Sequence, residues 1–145
     1  MLESGSQWRR WDLHIHTPGT ALNDQFGDWD EYLAAIEAQT DVRVMGVTDY
    51  FSIANYSKLK AFKAEGRIRE IDLLIPNIEF RIAPPSNKAT AVNIHLLVSP
   101  DDPNHEAEIN NALGRLTWTY DERNYSCLPD QLMRSEERRV GKECL

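Results

Sequence analysis

The sequence predicts an α/β fold, layered around a largely parallel sheet or barrel. Three observations predict it. Stretches of strand period alternate with stretches of helical period, in the order β-α-β-α-β-β-α. The strand stretches are short and mostly apolar, as buried strands are. Helical stretches follow the first two strands, which is the layout of α/β layering.

The first strand is Trp11–Thr17, where Leu13 and Ile15 alternate with His14 and His16. Pro18-Gly19 ends it as a turn. Asp28 or Asp30 opens the first helix, where Tyr32, Leu33, Ala35 and Ile36 are flanked by polar Glu31, Glu37 and Gln39. Val42–Val47 is a short β-branched run and reads as a buried strand. Ser52 or Asn55 caps a second helix, with Leu59, Ala61 and Phe62 on its apolar side, and Gly66 ends it. Ile71–Ile82 is the third strand, with a bend expected at Pro76. Pro84-Pro85-Ser86-Asn87 is a loop, and Ala91–Val98 is the fourth strand. A third helix spans His105–Leu116, with Asp102 or Asn104 as its cap and His105 expected at the surface. Beyond Thr117 the pattern weakens.

Composition bounds the functional classes. Of 145 residues, 41% are hydrophobic and 27% charged, which is a globular mixture. No apolar run approaches the ~20 residues that span a bilayer. The stretch Met1–Arg10 has no apolar core, so neither a secretory signal nor a membrane partner is expected. The net charge of −7 weighs against an extended phosphate-binding surface but leaves room for a local one. The two cysteines, Cys127 and Cys144, make no disulfide framework, and a cytoplasmic location is the expectation.

One stretch does not read as natural protein. Arg134–Cys144, RSEERRVGKEC, resembles the translation of a common sequencing adapter. Residues 134–145 are therefore expected to be a non-native tail, and residues 1–133 a partial domain whose gene continues. A single α/β barrel needs roughly 200–250 residues. The chain alone is expected to be poorly stable or to aggregate, because half a barrel leaves an open edge.

The chemistry-bearing residues fall on or just after successive strands. His14 and His16 are two apart on a strand, so both imidazoles point to one face. Asp49 follows the second strand, Glu79 lies at the end of the third, and His95 lies within the fourth. Ionisable groups embedded in apolar strands are costly unless paired or metal-bound. Five of them at strand ends point to a site at the mouth of an α/β barrel.

Asp12-Leu13-His14-Ile15-His16-Thr17, Val47-Thr48-Asp49, Ile78-Glu79 and Ile94-His95-Leu96-Leu97 resemble, in that order, the motifs of the PHP (polymerase and histidinol phosphatase) superfamily. The resemblance covers roughly residues 8–100. Residues 11–27 and 46–52 are most similar to the N-terminal PHP domain of large bacterial proteins that continue into an AAA or SMC-like ATPase, the TrlF-like group. The resemblance implies a distorted seven-stranded (β/α) barrel, of which this chain carries the N-terminal part. It implies a centre of divalent metal ions, Zn²⁺, Mn²⁺ or Fe²⁺. His14 and His16 match its first ligands, Glu79 its bridging glutamate and His95 a later histidine ligand. Asp24, eight residues after His16, lies near a further ligand position.

The implied activity is that of a metal-dependent phosphoesterase or nuclease, with a phosphate ester or nucleic acid as substrate and an ATPase domain as partner. Asp49 is expected to reach the metal or to orient a ligand. Arg81, two residues beyond Glu79, is expected to contact phosphate. Two departures stand out. The family has Thr-Asp-His after its second strand, whereas this chain has Thr48-Asp49-Tyr50. The family's last histidine motifs have no counterpart after His95. Both features fit an alternative, a degenerate module with a structural or partner-binding role.

Overall fold

A computed structural model describes residues 9–20, 26–39, 41–82, 92–120 and 122–128. Asp24 and the suspected adapter tail lie outside the described residues, as does the Arg81 side chain.

The elements are β1 (Arg10–His16), α1 (Trp29–Glu37), β2 (Val42–Tyr50), α2 (Ala54–Ala64), β3 (Leu73–Ile82), β4 (Val92–Leu97), α3 (His105–Arg115), β5 (Thr117–Tyr120) and β6 (Arg123–Ser126). The class is mixed α/β. Four strands form one sheet in the order β1-β2-β3-β4. The pairs β1–β2 and β2–β3 are parallel, as expected, and α1 and α2 supply the crossovers that parallel neighbours need. The pair β3–β4 is antiparallel. Period-2 alternation is the same in either direction, so the pattern of residues 91–98 could not reveal this. β5 and β6 form a separate hairpin.

Strand alternation sorts the sheet into two faces. One face carries Met45, Val47, Leu74 and Ile78, buried against Leu33 of α1, Tyr56 and Leu59 of α2, and Ile109 and Leu113 of α3. This is the core. It forms because each helix has an apolar stripe that only the sheet and its neighbouring helices can cover. The other face carries His14, His16, Thr48, Asn77, Glu79 and His95. On β4, Val92, Ile94 and Leu96 remain exposed on the helix side.

Three local details depart from the expectations. First, β2 runs three residues further than Val47, through Thr48, Asp49 and Tyr50, which pair with Asn77, Ile78 and Glu79. Second, Pro76 sits inside β3 without interrupting it. Its carbonyl accepts from Val98 N at 3.1 Å, so its nitrogen also faces the β4 side. The β4 ladder stops one residue away, at Asn77–Leu97, so the missing N–H breaks no ladder bond. Third, His105 is buried rather than at the surface. Its Nδ1 lies 2.5 Å from the Asp102 carbonyl and its Nε2 2.9 Å from the Tyr56 hydroxyl. A carbonyl only accepts, so Nδ1 carries a proton, and in the neutral ring Nε2 accepts from Tyr56.

The helix ends are set locally. Asp28 caps α1, accepting from Glu31 N at 2.8 Å. Of the two residues expected to cap α2, Ser52 accepts from Ala54 N at 3.0 Å, while Ile53 occupies the cap position itself. Gly66, at φ +95°, ends the turn after α2, where a side chain would be strained. Among the described residues no helix is long and apolar enough to cross a membrane.

Candidate metal centre

The site begins with an irregularity in β1. Asp12 pairs with Met45 and Ile15 with Val47, so Leu13 and His14 together face one residue, Gly46. This is a bulge, the kind of feature that re-aims a side chain beside a site. A Cβ at Gly46 would stand 2.6 Å from Leu13 C and 2.7 Å from Leu13 Cα, and nearer still to Leu13 O. Only glycine lets the two backbones meet there. His14 N donates to Asp12 Oδ1 at 3.3 Å, which occupies an amide inside the irregular stretch.

The bulge and the alternation that follows bring His14 and His16 to Glu79. Nε2 of His14 is 3.1 Å from Nε2 of His16. Glu79 Oε2 lies 3.4 Å from His16 Nε2 and 3.6 Å from His14 Nε2. The Glu79 side chain is 1% exposed, that of His16 13% and that of His14 53%. Buried Glu79 therefore forms the floor, and His14 stands at the solvent side.

The donor atoms fit a metal ion. Tetrahedral Zn²⁺ with bonds of about 2.0–2.1 Å separates its ligand atoms by roughly 3.3 Å. The three separations here bracket that value. Glu79 Oε2 is buried and has no hydrogen-bond partner among the described residues. A buried carboxylate oxygen without a partner carries a large desolvation penalty, and a cation between it and two imidazoles removes it. Burial pulls the His16 imidazole below its ordinary value, against the opposing pull of Glu79. The neutral form is the one that ligates.

The other candidates are placed as follows. His95 pairs with Glu79 across the β3–β4 ladder and lays its ring against His14, with centroids 4.4 Å apart. Tyr50, opposite Glu79, stacks on His16 with centroids 5.7 Å apart. Arg81 lies in β3 opposite Asn93.

Asp49 stands apart from the His14–His16–Glu79 group, because the extension of β2 turns it to the helix side of the sheet. There its Oδ1 accepts from Thr20 Oγ1 at 2.9 Å and Asn55 Nδ2 at 3.0 Å. Its Oδ2 accepts from Asn55 N at 3.3 Å, at the start of α2. The carboxylate thus caps α2, where a negative charge is favoured. Burial raises its pKa, and these hydrogen bonds oppose that rise. The cap forms because Phe51, at φ +54°, turns the chain sharply from β2 into α2.

Asn77 was not among the sequence candidates. It lies buried in the sheet beneath the histidines. The available signal was a polar amide flanked by Pro76 and Ile78 in an apolar strand. Beside Pro76 it reads as part of a bend.

The chain matches no protein-family model, no curated protein and no solved structure.

Proposed function

We propose that the chain carries part of the metal centre of a hydrolase that cleaves phosphate esters. One observation carries this reading: the unpartnered, buried Glu79 Oε2 within 3.6 Å of two histidine Nε2 atoms. Its support from sequence is the ordered resemblance to the PHP superfamily, whose seven-stranded barrel would continue the sheet seen here.

In this reading His14, His16 and Glu79 hold a divalent cation, Zn²⁺, Mn²⁺ or Fe²⁺, with His95 beside them as a further ligand. Oxygen and imidazole donors suit these ions. The cation would supply Lewis acidity toward water and toward a phosphoryl oxygen. The residues of the chain supply the rest. Glu79 provides buried negative charge that keeps a cation in place. Exposed His14 marks the side from which a substrate arrives. Asp49 fixes the entry of α2 and so the end of β2. Arg81 contacts the phosphate. A nucleic acid is one such substrate, and an ATPase domain, as in the TrlF-like group, is the proposed partner.

The test is phosphodiesterase activity of the full-length protein on bis(p-nitrophenyl) phosphate with added Mn²⁺ or Zn²⁺. Activity that disappears in the His14→Ala, His16→Ala double variant supports the reading. Activity unchanged by that pair contradicts it. A second reading rests on Tyr50, which stacks on His16 where the PHP motif has a histidine. In that reading the site binds metal for structure alone. Metal-dependent turnover by the full-length protein would exclude it.

A further inference from the structure

Asn77 is 1% exposed and binds three other strands at once. Its Nδ2 donates to Leu13 O of β1 at 2.8 Å and to Thr48 Oγ1 of β2 at 2.9 Å. Leu13 O has no hydrogen to give, so the amide nitrogen must face it and the orientation of the side chain is fixed. Asn77 Oδ1 then faces His95 Nδ1 of β4 at 3.2 Å. An amide oxygen only accepts. His95 Nδ1 therefore carries a proton, and in the neutral ring Nε2 keeps its lone pair.

The Leu13 carbonyl lies in the bulge, where a Cβ on Gly46 would meet it. A backbone carbonyl inside a sheet needs a partner, and Asn77 provides it. The residue after this carbonyl is His14. One amide thus meets both the backbone that aims His14 and the ring of His95, two residues before Glu79 in its own strand.

We propose that Asn77 is a positioning residue of the metal centre. It holds His95 in the Nδ1–H tautomer, with Nε2 available to a divalent cation, and it anchors the bulge that directs His14. The proposal rests on the metal-centre reading for its purpose, but its geometry is tested without metal. Groups of this kind behind a ligand typically change metal affinity about 10–100-fold.

The first experiment is ¹⁵N NMR of the histidine-labelled, metal-free full-length protein. The His95 ring is expected to show a protonated Nδ1 and an unprotonated Nε2. The reverse tautomer overturns the proposal. The second experiment compares wild type with Asn77→Leu, which has neither donor nor acceptor. The His95 tautomer preference is expected to be lost and Zn²⁺ affinity to fall about 10–100-fold. Unchanged tautomer and affinity overturn the proposal. Asn77→Ser, too short to reach His95, replaces the leucine variant if that one does not fold, with the same expectations. If wild type binds no Zn²⁺ while the tautomer follows Asn77, the metal-centre reading fails and the role in orienting His95 stands.

Discussion

Replacing Gly46 with alanine tests how the site is built. The added Cβ would meet Leu13 C at 2.6 Å and Leu13 Cα at 2.7 Å. Carbon atoms rest at about 3.5–4.0 Å, so the two strands must part by about 1 Å. The atoms in the way are backbone, which no rotamer change can move aside. Overpacking of this kind costs about 1–3 kcal/mol, and the rigid neighbours put the cost at the upper end. Alanine recovers roughly 0.5–1 kcal/mol of backbone entropy in a strand. The net loss is about 2 kcal/mol. For a domain of this size that lowers the melting temperature by roughly 4–8 °C. The displaced Leu13 backbone leads directly into His14, and a shift of about 1 Å at a positioned group can cost about 100-fold in function. Thermal melts by circular dichroism and Zn²⁺ titration calorimetry measure the two effects. A variant that melts with wild type and binds Zn²⁺ equally would refute the bulge as the device that aims His14.

Other perturbations separate the remaining roles. Tyr56→Phe strands the buried His105 Nε2, which accepts from Tyr56 at 2.9 Å, and should lower stability by about 1–3 kcal/mol in urea melts. A loss near zero would mean that the pair is not formed. Asp49→Asn should leave Zn²⁺ affinity within a few-fold of wild type while lowering the melting temperature, because Asp49 caps α2. A loss of binding as large as that of a ligand variant would return Asp49 to the metal. Glu37 accepts from Arg67 Nε at 2.8 Å and from Ile68 N at 2.9 Å, and the Arg67 guanidinium holds its pKa down to about 2. A depressed carboxylate stabilises the fold fully above its ordinary value of 4.5 and loses that contribution as pH falls toward about 2. The melting gap between wild type and Glu37→Gln should therefore be present at pH 7 and shrink from pH 5 downward. A gap independent of pH would contradict the assignment.

Much of the site was legible because strand alternation is a strict rule. His14 and His16 share a face at any register, and Glu79 stands out as a charge between Ile78 and Phe80. What escaped was set by partners distant in sequence. The apolar run of the second strand ends at Val47, so Thr48-Asp49-Tyr50 was placed after it, yet β3 pairs with all three residues. That pairing turns Asp49 away from the histidines and Tyr50 toward them. His105 looked like a solvated helix start, but Tyr56, 49 residues earlier, supplies the hydroxyl that lets it be buried. Gly46 inside an apolar run was the one local trace of the bulge, since glycine within a strand marks a bulge or a close backbone approach.

The central claim is that His14, His16 and Glu79 hold a divalent cation. Zn²⁺ titration calorimetry on wild type and Glu79→Gln tests it most directly. Glutamine keeps the shape of the side chain and removes the charge. The account predicts saturable binding by wild type and a loss of about 100-fold or more in the variant, from a charged ligand with a buried, otherwise unpartnered oxygen. Wild type that binds no Zn²⁺, Mn²⁺ or Fe²⁺, or a variant that binds as tightly as wild type, would contradict it.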